Sequence, residues 1–219
     1  MITSLFNHLK IRALLKFNPA LFFNHINHLD WYQHTLQSWV EKQAFIEKDK
    51  IMEVGCATGV LTQFISDIDC YPTGVDLSEQ AIEIAKRENP DIPYYIADVN
   101  QLPFEDNVFD AVISASVINI VDDKKNALKE MIRVCKKGGT INILVPLSGF
   151  NNENLKVLQD SLKITNYSSQ VLKTWHNLAP KLTIEEINDL FLTMGLKTKP
   201  PEIYLNGMVF SISAIKSPF

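Results

Sequence analysis

Residues 51–59 read Ile-Met-Glu-Val-Gly-Cys-Ala-Thr-Gly and are the most informative part of the sequence for the fold. Its first four residues form a short apolar run that predicts a β-strand, and Val60 to Ile68 continue at helical spacing. Small residues between a strand and a helix let the backbone approach a ligand and expose amide N–H groups at the helix N-terminus. The sequence therefore predicts a strand–turn–helix unit whose turn, Gly55 to Gly59, can hold a ligand.

Acidic residues close the next two predicted strands. Asp76 follows Gly55 by about 20 residues, where a carboxylate can accept hydrogen bonds from the hydroxyls of a ribose. Asp98 ends the third strand a similar distance further on, where it could meet an adenine edge. Each feature also has a structural interpretation, as turn glycines, a helix cap or a loop acid. Their occurrence in register at three strand ends favours a cofactor site.

Short apolar runs alternate with helical stretches outward from this unit, which predicts a parallel, doubly wound α/β sheet. A helix over 124–135 is predicted to end at Gly138 and Gly139, ahead of a fifth strand at 140–145. Two last strands, near 196–204 and 208–215, flank Asn206-Gly207, a sequence typical of an antiparallel hairpin. The expected architecture is a mostly parallel seven-stranded sheet with an antiparallel C-terminal hairpin and an N-terminal helical cap.

The 219 residues are expected to form one domain with four parts. These are a helical cap broken by Pro19 (1–48), a cofactor-binding core (49–146), a polar insertion expected to close over the substrate as a lid (147–182), and a C-terminal helix and hairpin (183–219). The first 25 residues are apolar and weakly basic, which makes contact with a membrane surface an open alternative. No signal peptide or membrane span is predicted.

Charge and cysteine usage exclude several function classes. A formal net charge of −4 makes nucleic acid an unlikely partner, because duplex binders carry a basic surplus. The three cysteines are widely spaced and show no metal-ligand spacing, so no metal is expected. Reduced, buried thiols in a cytoplasmic protein are the simplest interpretation. The sequence does not indicate an oligomeric state.

Five motifs in order resemble those of class I S-adenosylmethionine-dependent methyltransferases, closest to the broad methyltransferase type 11 group. The motifs are Glu53-Val54-Gly55-Cys56-Ala57-Thr58-Gly59, Gly74-Val75-Asp76-Leu77-Ser78, Ala97-Asp98 with Leu102-Pro103-Phe104, Phe109-Asp110-x-Val112, and Arg133-Val134-x-Lys136-Lys137-Gly138-Gly139. The resemblance spans about residues 31–215. It is specific for the family but not for a substrate.

The resemblance implies S-adenosylmethionine as cofactor and S-adenosylhomocysteine as product. It also implies a role for each matched position. The methionine part would meet Gly55, Cys56, Ala57, Gly59 and Ser114, with Glu53 at its amino group; the ribose would meet Asp76; and the adenine would meet Leu77, Asp98 and Val99. A small-molecule acceptor is expected, and a lipid or quinone at a membrane surface is the alternative.

Two positions depart from the family pattern. Ala57 replaces the usual middle glycine of the turn, and Asn119 stands where many relatives carry a histidine. An amide cannot act as a general base at neutral pH, so the base, if one is needed, is unknown. Weak candidates are His28, Tyr32, His34, Tyr167 and His176.

Two other functions remain open from the sequence. A nicotinamide dehydrogenase would need G-x-G-x-x-G, but residues 57 and 60 are alanine and valine. A non-catalytic scaffold or activator that keeps the fold is favoured by Ala57 and Asn119. Gly55, Gly59, Asp76 and Asp98 argue against a scaffold, which would not require that set.

Overall fold

The computed structural model describes residues 25–164 and 166–217. The predicted break at Pro19, and all but the last residue of the predicted membrane-contact segment, lie outside the described residues. The helices are α1 (Asp30–Lys42), α2 (Val60–Asp67), α3 (Glu79–Glu88), α4 (Lys124–Val134), α5 (Asn152–Ser161), α6 (Asn166–Leu178) and α7 (Ile184–Thr193). The strands are β1 (Lys50–Val54), β2 (Tyr71–Asp76), β3 (Tyr94–Ile96), β4 (Phe109–Ala115), β5 (Cys135–Pro146), β6 (Lys197–Thr198), β7 (Glu202–Tyr204) and β8 (Val209–Ile215).

The strands form one mixed sheet in the order β3-β2-β1-β4-β5-β8-β6, with β7 also paired to β8. Strands β1 to β5 are parallel, and β8 runs antiparallel to β5. The order reverses beside β1, so the carboxyl ends of β1 and β4 flank the crevice where open α/β sheets bind ligands. The predicted doubly wound fold is confirmed.

Helices cover both faces of the sheet because the central strands are apolar on both sides. Ile51 and Ile113 face a core shared with α1, α2, α5 and α6. Met52 and Val112 face the opposite core, shared with α4 and α7. Successive strand residues thus alternate between two helical layers.

The C-terminal part has one strand more than predicted. The expected strand at 196–204 is split into β6 and β7 by Pro200 and Pro201, which have no N–H to donate to a ladder. The hairpin turn is a single 3₁₀ turn over Leu205–Gly207, in which Asn206 and Gly207 both have positive φ. The Asn-Gly signal therefore located the turn, and the prolines explain the extra strand.

Gly138 and Gly139 do not end α4, contrary to the sequence prediction. The helix ends at Val134, and the chain enters β5 directly. A Cβ on Gly139 would crowd the carbonyl oxygen of Asp110 on β4. This glycine is therefore needed for close approach of two strands, at the place where their register shifts.

Helix α1 is part of the core. Trp39 is fully buried, and its Nε1 donates a hydrogen bond of 2.7 Å to Ser211 Oγ on β8. Trp31 Nε1 donates to Ser168 Oγ on α6 at 2.9 Å. The described part of the predicted cap and the 147–182 insertion therefore pack on each other and on the same face of the sheet.

Within residues 25–164 and 166–217, none of the helices has the length and apolar character that a bilayer crossing requires.

Candidate active site

A cavity of about 210 Å³ opens at the carboxyl ends of β1, β2 and β4. Two sets of side chains meet in it. One set comes from the ends of β1 and β2, from the turns after them and from α3, and comprises Glu53, Gly55, Cys56, Ala57, Asp76, Ser78 and Ala81. The other set comes from the segment before α1, from α1 and α2, from the end of β4 and the loop after it, and from α6. It comprises Ile26, Asn27, Tyr32, Leu36, Leu61, Ala115, Ser116, Val117, Ile120 and Trp175. We call the first set the cofactor half, after the ligand that the sequence predicts for it, and the second set the acceptor half, after the predicted acceptor.

The turn after β1 requires glycine at its first position. Gly55 has a φ of 75°, and a Cβ there would overlap the Cγ2 of Val117. The amides of Gly55 and Cys56 both donate to the Val75 carbonyl, at 2.7 and 3.0 Å. The turn is therefore tied to β2 and leaves an open cradle on its cavity side.

Asp76 joins the two turns of the cofactor half. Its Oδ2 accepts from the Ala57 amide at 2.9 Å, and its Oδ1 accepts from the Ser78 amide at 2.8 Å. Each carboxylate oxygen can still accept a further hydrogen bond. Asp76 is thus fixed in place with capacity for two ligand hydroxyls.

Glu53 is a buried carboxyl group at the base of the cavity, with 3% of its surface exposed. Its Oε2 has no hydrogen-bond partner among the described residues. Burial raises the pKa of Glu53 to about 8, and the charge of Asp76 adds to the increase, while the Thr62 hydroxyl opposes it. Such a group is ready to gain a cationic partner, which would restore its ionised form.

Five of the ten predicted cofactor residues line the cavity: Glu53, Gly55, Cys56, Ala57 and Asp76. The structure places the other five outside its lining. Gly59 is the N-cap of α2, and Leu77 is 72% exposed beside Asp76. Asp98 is exposed and accepts from the Asn100 amide at 2.8 Å. Val99 and Ser114 are buried in the interior.

The acceptor half contains most of the residues that the sequence did not single out. Ala115, Ser116 and Val117 follow Ser114 directly and reach the cavity as β4 ends. Trp175 comes from α6, far away in sequence. Apolar periodicity predicts the strand or helix that carries such residues, but it does not distinguish a cavity wall from an ordinary core contact.

Tyr32 is the one proposed base that lines the cavity. Burial raises its pKa to about 12, and the nearby Glu53 contributes to the shift. His28 and His34 are exposed and lie outside the lining. Tyr167 and His176 also lie outside it; His176 is buried, and burial lowers its pKa.

Asn119 has a structural contact. It is 3% exposed, and its Nδ2 donates to the Pro180 carbonyl at 3.0 Å. This bond ties the loop after β4 to the segment that follows α6. The amide at this position therefore anchors the wall of the acceptor half without lining the cavity itself.

Comparison with known proteins agrees with the fold and the motifs. Residues 52–143 match the family model described as a methyltransferase domain. The chain is 32% identical over 102 residues to a demethylmenaquinone methyltransferase of Renibacterium salmoninarum, covering 47% of this chain and 43% of that protein. It is 33% identical over 96 residues to a malonyl-[acyl-carrier protein] O-methyltransferase of Hamiltonella defensa, covering 44% and 37%. The matches thus span less than half the length of these two curated relatives.

A solved structure extends the likeness over most of the chain. An S-adenosylmethionine-dependent methyltransferase from Aquifex aeolicus superposes with a TM-score of 0.69. The superposition covers 90% of this chain and 97% of that chain at 13% sequence identity. At this identity the likeness establishes the shared fold.

Proposed function

We propose that this chain, which carries a domain of the class I S-adenosylmethionine-dependent methyltransferase family, transfers a methyl group from that cofactor to a small-molecule acceptor. The observation that carries the proposal is the cofactor half of the cavity. There the Gly55 cradle and the fixed Asp76 carboxylate converge with a buried Glu53, one oxygen of which has no partner among the described residues. A scaffold protein would not need to maintain this costly arrangement.

S-adenosylmethionine is the cofactor that the family and the fold imply, and the residues present fit it. Glu53 would accept hydrogen bonds from the amino group of its methionine part, and Asp76 would accept them from the ribose hydroxyls. Gly55 allows the backbone to approach the ligand. Leu77, exposed beside Asp76, would cover the adenine. When bound, the cofactor supplies a methyl group on a sulfonium that is itself a good leaving group.

The protein contributes positioning and exclusion of water rather than a strong base. Tyr32 lines the acceptor half, but with a pKa of about 12 it stays protonated at neutral pH. It therefore donates a hydrogen bond and does not accept a proton from the acceptor. Methyl transfer needs mainly an in-line approach in a site with little water, which the apolar lining provides.

The two curated relatives are named for different acceptors, one for demethylmenaquinone and one for malonyl-acyl-carrier protein. The first name supports a quinone as the second candidate acceptor. The choice for this chain depends on its own acceptor half, whose lining contains aromatic and aliphatic side chains.

Calorimetric titration with S-adenosylmethionine, S-adenosylhomocysteine and NADH tests the cofactor assignment. We expect micromolar binding of both adenosyl compounds and none of NADH. Asp76→Ala should weaken adenosyl binding by about 100-fold, since each lost charged hydrogen bond costs about 1.5–3 kcal/mol. Asp189→Ala, which removes an exposed carboxylate on α7, is the matched control and should change nothing. Equal affinity in wild type and a folded Asp76→Ala variant would contradict the ribose assignment.

A further inference from the structure

Two aromatic side chains form one corner of the acceptor half. Tyr32 on α1 and Trp175 on α6 both line the cavity, and their ring centroids lie 5.7 Å apart at an interplanar angle of 85°. A flat ring placed there can lie against one face while its edge meets the other, the two favoured geometries for aromatic contacts. We call this pair the aromatic corner.

A third ring behind the corner holds it in place. Trp31 stacks on Trp175 at 5.9 Å and 27°, and it meets Tyr32 edge-on at 5.7 Å and 74°. Trp31 is 4% exposed, and its Nε1 is bonded to Ser168 Oγ. The corner is therefore preorganised, so that ordering these side chains adds little to the entropic cost of binding.

The charges around the cavity have one sign. Four of the described residues that line it have side chains that can ionise. Glu53 and Asp76 carry carboxyl groups, and the other two groups are the thiol of Cys56 and the phenol of Tyr32. Both carboxyl groups belong to the cofactor half. No lysine, arginine or histidine among these lining residues could pair with an anionic acceptor, whose charge would therefore enter a poorly solvated site without a cationic side chain.

The polar side-chain groups among the described residues of the acceptor half are uncharged. They are the Asn27 amide, the Tyr32 and Ser116 hydroxyls and the indole N–H of Trp175. Asn27 is 9% exposed and its Nδ2 lies 3.4 Å from Thr58 Oγ1, so that its amide oxygen is available to a ligand. Such a set can orient one hydroxyl or carbonyl group on an otherwise apolar molecule.

We infer that the acceptor is an uncharged, flat ring compound that stacks in the aromatic corner, and that anionic acceptors are excluded. The inference rests on the proposed function and specifies its substrate class. Trp175 is the principal specificity residue, because it lines the cavity and its side chain is half-buried. Tyr32 closes the corner, and its hydroxyl, which hydrogen-bonds with Ser116, would offer a polar contact to the acceptor.

A matched pair of probes tests the inference: 2-naphthol, which is neutral at pH 7, and 6-hydroxy-2-naphthoate, which has the same ring system plus a carboxylate. Each is titrated calorimetrically into protein saturated with S-adenosylhomocysteine. We expect 2-naphthol to bind at least tenfold more tightly than the naphthoate. Trp175→Ala should weaken 2-naphthol binding about tenfold, a loss of about 1.4 kcal/mol, while Trp175→Phe retains most of it.

Two further variants separate the corner from general effects. Tyr71→Ala removes an exposed aromatic ring at the amino end of β2, opposite the strand end that borders the cavity, and should leave probe binding unchanged. Ile120→Lys places a cation on the rim of the acceptor half, at a residue that is 56% exposed, and should reverse the preference towards the naphthoate.

The outcomes distinguish this inference from the proposed function. Failure of S-adenosylhomocysteine to bind would contradict the proposed function and the inference together. Two results would overturn the inference alone, provided that S-adenosylhomocysteine binds normally. One is that the wild type binds the naphthoate as tightly as 2-naphthol or more tightly, and the other is that 2-naphthol does not bind at millimolar concentration. Equal 2-naphthol affinity in wild type and Trp175→Ala would likewise contradict the binding of the acceptor ring in the aromatic corner.

Discussion

The two halves of the cavity are built in different ways. The cofactor half comes from two consecutive strand–turn–helix units, and its side chains lie within residues 53–81. Its backbone is fixed by short hydrogen bonds between the turns, such as Ala57 N to Asp76 Oδ2. The acceptor half is assembled from segments as distant as Asn27 and Trp175, and it is held by ring stacking and by side-chain hydrogen bonds such as Trp31 Nε1 to Ser168 Oγ.

Because the two halves are built differently, we expect substitutions in them to have different effects on ligand affinity. A change in the cofactor half acts through backbone geometry and buried charge, where small displacements are costly. A change in the acceptor half acts through packing of apolar side chains, which can adjust. Single substitutions in the cofactor half should therefore cause large losses of cofactor affinity, whereas substitutions in the acceptor half should change acceptor affinity by smaller steps.

Gly55→Ala is the strongest test of the cofactor half. The new methyl group would overlap Val117, a β-branched side chain that cannot easily rotate away, and the φ of 75° is unfavourable for alanine. We expect S-adenosylhomocysteine affinity to fall by about 100-fold, the combined effect of about 1–3 kcal/mol of backbone strain and the steric overlap. Titration calorimetry measures the loss.

Gly195→Ala is the matched control, because Gly195 has nearly the same φ, 74°, and a Cβ there would meet nothing within 4 Å. It should cost stability through backbone strain alone and leave cofactor affinity unchanged. A Gly55→Ala variant that binds as tightly as Gly195→Ala would show that the cradle does not hold the cofactor.

Glu53→Gln tests the buried charge. With a pKa of about 8, Glu53 is mostly protonated at pH 7 in the free protein, and a bound ammonium group should lower that pKa and release up to about one proton. Cofactor affinity should rise between about pH 6 and 8 for this reason. Titrations in two buffers of different ionisation enthalpy count the proton. Glu53→Gln should release none and bind about tenfold more weakly.

The same pKa shift has the opposite effect on the stability of the free protein. Since the pKa of Glu53 rises from an ordinary 4.5 to about 8 on folding, the folded state holds more protons than the unfolded state in this window. Stability should therefore fall as pH rises from about 4.5 to 8, and Glu53→Gln should remove a few kcal/mol of that loss. A variant that is less stable than the wild type at pH 8 would contradict the assignment.

Trp39→Phe tests the acceptor half through the residue that fixes α1 to the sheet. The change removes the hydrogen bond to Ser211 and leaves a gap under α1, which should cost about 2–3 kcal/mol of unfolding free energy in urea. Trp39 lines neither half of the cavity. We expect S-adenosylhomocysteine affinity to change less than twofold and 2-naphthol affinity to fall by a few fold. Equal losses for both ligands would show that the halves are not independent.

Sequence predicted the cofactor half better than the acceptor half for a physical reason. Strands β1, β2 and β4 and the turn at Gly55 are encoded locally, by apolar runs next to small residues. The position of Trp175 depends on stacking with Trp31, a contact between helices that no local pattern specifies. The fold could thus be predicted, while the wall that faces the acceptor could not.

The errors in the fold arose where two local signals competed. Gly138 and Gly139 are typical of a helix end, but the chain had already left the helix at Val134 because the extended residues after it pair with β4. Pro200 and Pro201 lay inside a stretch that otherwise favours a strand. Ser114, predicted at the cofactor, is buried on β4, and the residues that follow it line the cavity.

Ala57→Gly should have the smallest effect on ligand affinity. It tests whether the backbone of the cofactor half is already in its binding geometry. Ala57 adopts a φ of 46°, where a non-glycine residue costs about 1 kcal/mol, and its amide is bonded to Asp76. Glycine would relieve that strain but lose more chain entropy on folding, so the two contributions nearly cancel. We expect S-adenosylhomocysteine affinity within about threefold of the wild type. A gain of tenfold or more would mean that Ala57 holds the turn away from its binding geometry, and the cofactor half would then be strained rather than preorganised.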